Sequence, residues 1–181
     1  MTPPAAEASP RVTARVAGVF YLLTIVTGSV ALVSSRVAMA ATLASTLCYI
    51  VVTLLFEWLF RPVSPGLSRL AAVVSLAGCA VGVLNLFHLM PFPLNGLALF
   101  GVYCLVIGSL ILRSRFLPGV LGLLMAFGGL GWLTFALPSL AHRLAPLNML
   151  PGVLGETALT LWLLVFAVND ARWKEQARTQ A

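Results

Sequence analysis

The chain has 181 residues, of which 60% are hydrophobic and only 9% are charged, and its mean hydropathy is +1.03. Because a soluble domain carries roughly a quarter charged residues, this composition excludes an ordinary water-soluble domain and predicts an integral membrane protein. The formal net charge of +6 would suggest nucleic acid in a soluble chain. Here the basic residues lie between apolar runs, so we exclude nucleic-acid binding.

Six apolar segments follow one another along the chain. Each is roughly 18 to 24 residues long, which suits an α-helix that crosses a bilayer. Short connections make neighbouring helices antiparallel, and no strand-like alternation favours a barrel. The sequence therefore predicts an all-α, polytopic transmembrane bundle of six helices within residues 14–169. The six segments are approximately residues 16–33, 37–60, 67–90, 94–112, 117–137 and 147–168.

The basic residues indicate how the chain is threaded. With a cytoplasmic N-terminus, nine basic residues fall inside and two, Arg36 and Arg143, fall outside. This positive-inside bias predicts that both termini are cytoplasmic. The nine are Arg11, Arg15, Arg61, Arg69, Arg113, Arg115, Arg172, Lys174 and Arg178.

The two ends of the chain are predicted to lie outside the bundle. Residues 1–13 are interpreted as a disordered N-terminal tail and residues 170–181 as a cytoplasmic C-terminal tail that is disordered or interfacial, with Trp173 as an interface anchor. The A-x-A that ends at Ala40 resembles a signal-peptide cleavage site. The apolar run before it is too long for a typical signal peptide, so we favour an uncleaved first helix.

Small residues and one charge pair predict how the helices pack. Gly78 and Gly82 form a small-xxx-small motif, and the fifth segment is dotted with glycines, which let helix backbones approach closely in lipid. Glu57 precedes Arg61 by four residues, the favourable order for a helical ion pair near the cytoplasmic interface. The glycines of the fifth segment are Gly119, Gly122, Gly128, Gly129 and Gly131.

Glu156 is the least expected residue of the sixth segment. Its depth is roughly 10 Å below the outer boundary at ~1.5 Å per residue, and the residues four positions away, Gly152 and Thr160, carry no charge. An ionised acid at a helix centre costs roughly 2.5 to 3.5 kcal/mol on insertion scales. We therefore expect Glu156 to face the interior of the bundle in a partnered or protonated state. Either a packing hydrogen bond or a functional site explains it.

Other polar residues share the outer half of the predicted bundle. Asn85 and His88 are three residues apart and are expected on one face of the third helix. One interpretation is a polar cavity that opens outward and binds a ligand; the other is that outer positions simply tolerate polar side chains. The predicted ligand-binding residues are Glu156, His88, Asn85, Asn95 and Asn148.

No motif identifies a metal or catalytic centre. The two histidines have no ligand-type spacing, the three cysteines are widely spaced in apolar runs, and none of the intramembrane serines and threonines has a histidine nearby in sequence. The sequence thus predicts no catalytic or metal-binding residue, disfavours an enzyme, and leaves the cofactor open.

Four stretches resemble domain-of-unknown-function family 4386. They are "RVAGVFYLLTIVTG" at 15–28, "FRPVS" at 60–64, the block from "FHLMPFPLNG" to "GGLGWL" at 87–133, and "LPGVLGETALTLWLLVFAVN" at 150–169. The resemblance implies six transmembrane helices, the cytoplasmic membrane of a prokaryote, and no established activity or cofactor. It also implies that His88 and Glu156 are site candidates.

Two functional hypotheses remain. In the first, an outer-half pocket around Glu156 and His88 binds or moves a lipid, a hydrophobic small molecule or a proton. In the second, the protein is a non-catalytic scaffold or accessory subunit that packs against another membrane protein through its glycine-rich fifth helix. The lipid bilayer is a partner in both.

Overall fold

The computed structural model of the chain describes residues 9–90 and 94–179, and these residues form helices without any strand. Six helices are long and apolar enough to span a membrane, which confirms the predicted all-α transmembrane bundle. The helices are α1 (Pro10–Val33), α2 (Ala38–Phe60), α3 (Pro65–Leu86), α4 (Gly96–Arg113), α5 (Gly119–Leu133), α6 (Pro138–Leu144), α7 (Leu150–Val165) and α8 (Asp170–Arg178), with 3₁₀ turns at Thr134–Ala136 and Leu147–Met149.

The predicted tails differ from what the structure describes. Residues 1–8 lie outside the described residues, but α1 begins at Pro10, inside the predicted N-terminal tail. Proline is well tolerated in a first helical turn because it lacks only a donor that has no partner there. The predicted C-terminal tail forms α8, whose first turn is capped by the Asn169 side chain, which accepts a hydrogen bond from the Arg172 N–H at 3.1 Å.

The six spanning helices form a closed ring in the order α1, α2, α3, α4, α5, α7 and back to α1. We call the end of the ring where α1 and α3 begin the terminal end, and the end where α2, α4 and α7 begin the far end. The short helix α6 lies at the far end, between α5 and α7. A ring of this kind surrounds an interior, and the two halves of that interior are filled differently.

Glycines set the spacing between α4 and α5. A Cβ atom placed on Gly108 would lie 2.7 Å from the carbonyl oxygen of Gly122, and one placed on Gly101 would lie 2.8 Å from that of Gly129. The two backbones are therefore in direct contact, as the glycine pattern predicts. Between α3 and α4, a Cβ on Gly96 would lie 3.0 Å from the carbonyl oxygen of Gly78.

Aromatic side chains fill the half of the ring nearest the terminal end. Tyr21, Phe56 and Phe60 are almost completely buried. The ring centroids of Tyr21 and Phe56 are 6.1 Å apart, those of Phe56 and Phe60 5.6 Å, and those of Phe60 and Phe116 5.9 Å. Contacts at these distances are favourable for aromatic pairs. This half of the interior is a packed core.

The last helix, α8, lies against the terminal end. The Trp173 indole N–H donates to the Leu59 carbonyl oxygen at 2.8 Å, and the Trp173 ring stacks on Trp58 with centroids 4.9 Å apart. The Gln176 amide contacts the end of α4, where it donates to the Arg113 carbonyl oxygen at 3.3 Å. Helix α8 is thus fastened to the bundle by specific polar contacts.

Candidate functional site

A cavity of about 450 Å³ occupies the half of the ring nearest the far end. All six spanning helices contribute to its wall. Leu32, Asn85 and Asn95, close to the helix ends, are exposed, whereas Tyr49 and Ser75 lie deeper and are buried. The cavity therefore runs inward from the far end. Its described lining is Thr24, Ile25, Gly28, Ser29, Leu32, Thr42, Ser45, Thr46, Tyr49, Ser75, Gly78, Cys79, Gly82, Asn85, Asn95, Gly96, Leu97, Phe100, Trp132, Met149, Val153, Glu156 and Thr157.

Glu156 lines this cavity from α7. The Trp132 indole N–H on α5 donates to the Glu156 Oε1 at 2.9 Å. Gly152, one turn earlier on α7, makes this bond sterically possible, because a Cβ there would overlap the Trp132 indole ring. The carboxyl group is thus held in a defined position on the cavity wall, with a hydrogen bond to only one of its two oxygens among the described contacts.

Three tyrosines lie at the floor of the cavity, at about mid-depth of their helices: Tyr49 lines the cavity, and Tyr21 and Tyr103 pack against it. The hydroxyls of all three are buried. The Tyr49 ring lies 5.8 Å from the Tyr21 ring and 5.8 Å from the Tyr103 ring, centroid to centroid. The Tyr21 hydroxyl faces the Glu156 carboxyl. Three buried hydroxyls thus lie together near one carboxyl group, in a bundle whose interior is otherwise mainly apolar.

The serine and threonine hydroxyls at Ser45 and Ser75 are satisfied by the protein itself. The Ser45 hydroxyl donates to the Thr24 carbonyl oxygen at 3.0 Å, and the Ser75 and Thr53 hydroxyls lie 2.6 Å apart. Bonds of this kind fasten neighbouring membrane helices to each other. They leave Glu156 as the charged group of the wall, because none of the described lining residues is basic.

Two of the predicted asparagines line the mouth of the cavity. The Asn85 amide donates to the Leu94 carbonyl oxygen at 2.8 Å, and the Asn95 Oδ1 accepts from the Leu97 N–H at 2.9 Å, which caps α4. Both side chains are exposed. The Asn85 bond joins the end of α3 to Leu94, just before α4, and the structure brings both asparagines to the same cavity as Glu156.

His88 does not lie on the face of α3 that carries Asn85. Helix α3 ends at Leu86, and His88 has a φ of 56°. The His88 N–H bonds to the Asn85 carbonyl at 3.1 Å and the Leu89 N–H to the Leu84 carbonyl at 2.8 Å. This is the Schellman pattern of a helix C-terminus. The predicted helix was too long here, and His88 is an exposed residue outside the described lining.

Asn148 is also separate from the cavity. It is buried, and its amide donates to the Thr134 hydroxyl at 2.8 Å. This contact ties the 3₁₀ turn before α7 to the end of α5. Asn148 therefore has a local structural partner and is not among the described lining residues.

The tyrosine floor and the Trp132 contact were not predicted from the sequence. The chain has only three tyrosines, and all three fall inside apolar segments, which is the signal that could have identified them. Within residues 9–90 and 94–179, no group of three histidine, cysteine or acidic residues is close enough to hold a metal ion. The chemistry that this wall offers is recognition by a carboxyl group, aromatic rings and hydroxyls.

No curated protein and no solved structure matches the chain. One family model does, over residues 93–167, which run from the beginning of α4 to just beyond α7. Glu156, Trp132 and Phe100 lie inside this range, whereas the cavity wall formed by α1, α2 and α3 lies before it. The matching family is described as Domain of unknown function (DUF4386), and the resemblance predicted from the sequence is thereby confirmed for residues 93–167.

Proposed function

We propose that this multi-pass membrane protein binds a small hydrophobic molecule in the cavity, with the polar end of that molecule at Glu156. The observation that carries the proposal is a cavity of about 450 Å³ whose wall bears one carboxyl group. Small-molecule sites have volumes of roughly 300 to 1,000 Å³, with mainly apolar walls and few polar groups. Ile25, Leu97 and Val153 supply apolar wall here.

The packed core favours binding over passage through the bundle. The cavity ends at the tyrosine floor, beyond which Phe56 and Phe60 fill the interior. A molecule that enters from the far end therefore meets a closed floor in this conformation. The proposal is accordingly a binding protein, and transport would require the helices to rearrange.

The scaffold hypothesis assumed that the glycines of the fifth spanning helix pack against another protein, and their contacts within the chain give it no support. The glycines of α5 face neighbours within the same chain, with Gly122 and Gly129 against α4 and Gly128 against Pro151 and Gly152 of α7. The lipid-facing side of α5 carries large side chains such as Leu123 and Phe127 instead. Close packing inside the chain accounts for the glycine pattern.

The proposed orientation has both termini in the cytoplasm of a prokaryote, with the protein in its cytoplasmic membrane. Arg61, Arg69 and Arg113 lie at or next to the terminal end, whereas Arg36 lies at the far end, which is the arrangement that the positive-inside rule favours. The cavity then opens away from the cytoplasm. A C-terminal green fluorescent protein fusion should fluoresce and a C-terminal alkaline phosphatase fusion should be inactive; the reverse result would invert the orientation.

A cavity-filling substitution tests the binding function. Gly82 lines the cavity, and a Cβ atom there would meet nothing within 4 Å, so a leucine can enter the empty space. We expect Gly82→Leu to abolish saturable binding of the uncharged probe neopentylbenzene to the maltoside-solubilised protein, measured by saturation-transfer NMR against empty micelles.

The matched control is Gly66→Leu. Gly66 lies on the same helix, its Cβ would also meet nothing within 4 Å, and it is not among the described lining residues. This variant should bind the probe as the wild type does. Equal binding by both variants, with both eluting as folded protein on size exclusion, would show that the cavity is not the site.

A further inference from the structure

We infer that the ligand carries an ammonium group, which is held by the Glu156 carboxylate and by the rings of Tyr49, Phe100 and Trp132. This inference rests on the proposed function and names the chemical class of the ligand. It depends on three separate observations about the cavity wall: the missing counter-charge, the arrangement of the rings, and a buried hydroxyl.

The first observation is that Glu156 lacks a counter-charge. Its described hydrogen bond comes from the uncharged Trp132 indole, and the ion pair found within the described residues joins Glu57 to Arg61 at the terminal end. Arg36 and Arg143, the basic residues at the far end, are not among the lining residues. An ionised carboxylate in such a place is costly without a partner cation. A cationic ligand supplies that partner.

The second observation is an aromatic wall beside the carboxyl group. Tyr49, Phe100 and Trp132 all line the cavity. The Tyr49 and Phe100 centroids are 5.3 Å apart with an interplanar angle of 79°, and those of Phe100 and Trp132 are 5.7 Å apart with an angle of 55°. Three contiguous rings in different planes therefore border the same cavity. The negative faces of such rings attract cations, and quaternary ammonium groups are recognised in this way.

The third observation is the buried hydroxyl of Tyr49. Its side chain is 8% exposed and lines the cavity, and its neighbours Tyr21 and Tyr103 are uncharged tyrosines. A hydroxyl oxygen is an acceptor as well as a donor. A primary or secondary ammonium that contacts Glu156 can therefore also donate to this oxygen.

Together these features discriminate among ligand charges. An anionic head group would be repelled by Glu156 and by the ring faces, and a neutral alkyl head group would leave the carboxylate without a partner. A free amine and the head group of an amino-phospholipid both carry such an ammonium and share the same chemistry at Glu156.

The first test compares two isosteric probes. Benzyltrimethylammonium and neopentylbenzene have the same shape, but only the former is charged. We expect benzyltrimethylammonium to bind the full-length protein in uncharged maltoside detergent, measured by calorimetry. Glu156→Gln should weaken that binding by at least about tenfold, since interactions with a charged partner are among the stronger ones. Trp132→Phe should weaken it less, because the ring remains while the indole N–H is lost.

The matched control is Glu57→Gln, which removes the carboxylate of the other glutamate in a spanning helix and should leave the affinity unchanged. Size exclusion establishes that each variant is folded. If Glu156→Gln fails this check, Trp132→Phe and Glu156→Asp replace it, and unchanged affinity in both would overturn the inference. Equal affinity of the wild type for the two probes would also overturn it. If Gly82→Leu then bound neither benzyltrimethylammonium nor neopentylbenzene, the cavity would still be the binding site, and the proposed binding function would be supported without the preference for an ammonium group.

Native mass spectrometry of protein extracted from its membrane distinguishes the sources of the ammonium. An amino-phospholipid, or a small amine released on unfolding, that is retained by the wild type and lost from both Glu156→Gln and Gly82→Leu would support the inference. A fatty acid or other anion that is lost from Gly82→Leu but kept by Glu156→Gln would contradict it.

Discussion

The two halves of the helix ring differ in what their inward positions carry. Towards the terminal end, Phe56 and Phe60 of α2 are buried and pack against each other, with ring centroids 5.6 Å apart. Towards the far end, the corresponding interior is bordered by Gly28, Ser45 and Gly82, and a cavity remains. The same six helices form both halves, so the size of the inward side chains decides where the bundle is solid and where it is hollow.

The two glutamates of the spanning helices show the same contrast. Glu57 lies at the terminal end of α2 and pairs with Arg61 at 2.8 Å, with the arginine side chain 53% exposed. Glu156 lies on the cavity wall with an uncharged indole as its described partner. The Glu57 carboxylate is paired with Arg61 next to its own helix. The Glu156 carboxyl group is accessible from the cavity.

The largest loss of stability is expected from a substitution that creates a cavity in the packed half of the bundle, near the terminal end. Phe56→Ala removes a ring that is 1% exposed and leaves a void where none exists, which should lower the free energy of unfolding by about 3 kcal/mol. Val153→Ala on the cavity wall should cost about 0.5 kcal/mol or less, because the side chain it shortens already borders empty space. Unfolding of both variants by dodecyl sulfate in mixed micelles measures the difference. Equal losses would mean that the two halves are packed alike.

The next largest loss of stability is expected from a large side chain placed between two closely packed helices. In Gly108→Leu the new Cβ would lie 2.7 Å from a backbone oxygen of α5, so α4 and α5 must separate, at a cost of about 2 kcal/mol. Gly82→Leu places the same side chain in the cavity and should leave stability within about 0.5 kcal/mol of the wild type. The dodecyl sulfate midpoints of the two variants provide the comparison, which fails if Gly82→Leu is the less stable protein.

A smaller loss is expected where α8 meets the terminal end. Trp173→Ala removes the indole bond to the Leu59 carbonyl and the stacking on Trp58, which together should contribute about 1 to 2 kcal/mol. The loss should appear first as faster proteolysis of α8. Trp173→Phe keeps a ring for stacking and should lose only the part due to the hydrogen bond. If both variants are cleaved at the wild-type rate, α8 is not held by Trp173.

The smallest effect is expected from the exposed ion pair. Glu57→Gln should lower the unfolding free energy by about 0.2 to 1 kcal/mol, and added salt should reduce the difference between variant and wild type further. A loss above about 2 kcal/mol would mean that Glu57 is as uncompensated as Glu156, contrary to the contrast drawn between them. The midpoints at low and high salt decide this point.

The positions of the spanning helices were largely predictable because length and hydropathy alone determine them. The end of α3 was not predictable from length and hydropathy, because His88 takes the left-handed backbone conformation that usually belongs to glycine or asparagine. Helix α8 was missed because its order depends on contacts with distant residues such as Leu59. Each error came from a local conformation that tertiary contacts or an unusual residue impose.

The sequence indicated at what depth in the bundle the polar residues lie, but not which faces of the helices meet. Glu156, Asn85 and Asn95 were expected in the outer half, and the structure brings them to one cavity. The Trp132 contact and the tyrosine floor were missed because inward and lipid-facing positions in these helices are both apolar. Without an amphipathic pattern, the sequence contains little information about which residues meet.

The contact between α1 and α7 has a consequence for how the protein is made. A Cβ atom on Gly18 would lie 3.1 Å from the Leu163 side chain, so the first and the last of the spanning helices are direct neighbours. During synthesis, the contact between α1 and α7 can form only after α7 has been inserted into the bilayer. Because α7 also carries Glu156, the carboxyl group arrives with the helix that closes the ring. A chain that ends before α7 therefore lacks both the contact between α1 and α7 and the part of the cavity wall that carries Glu156.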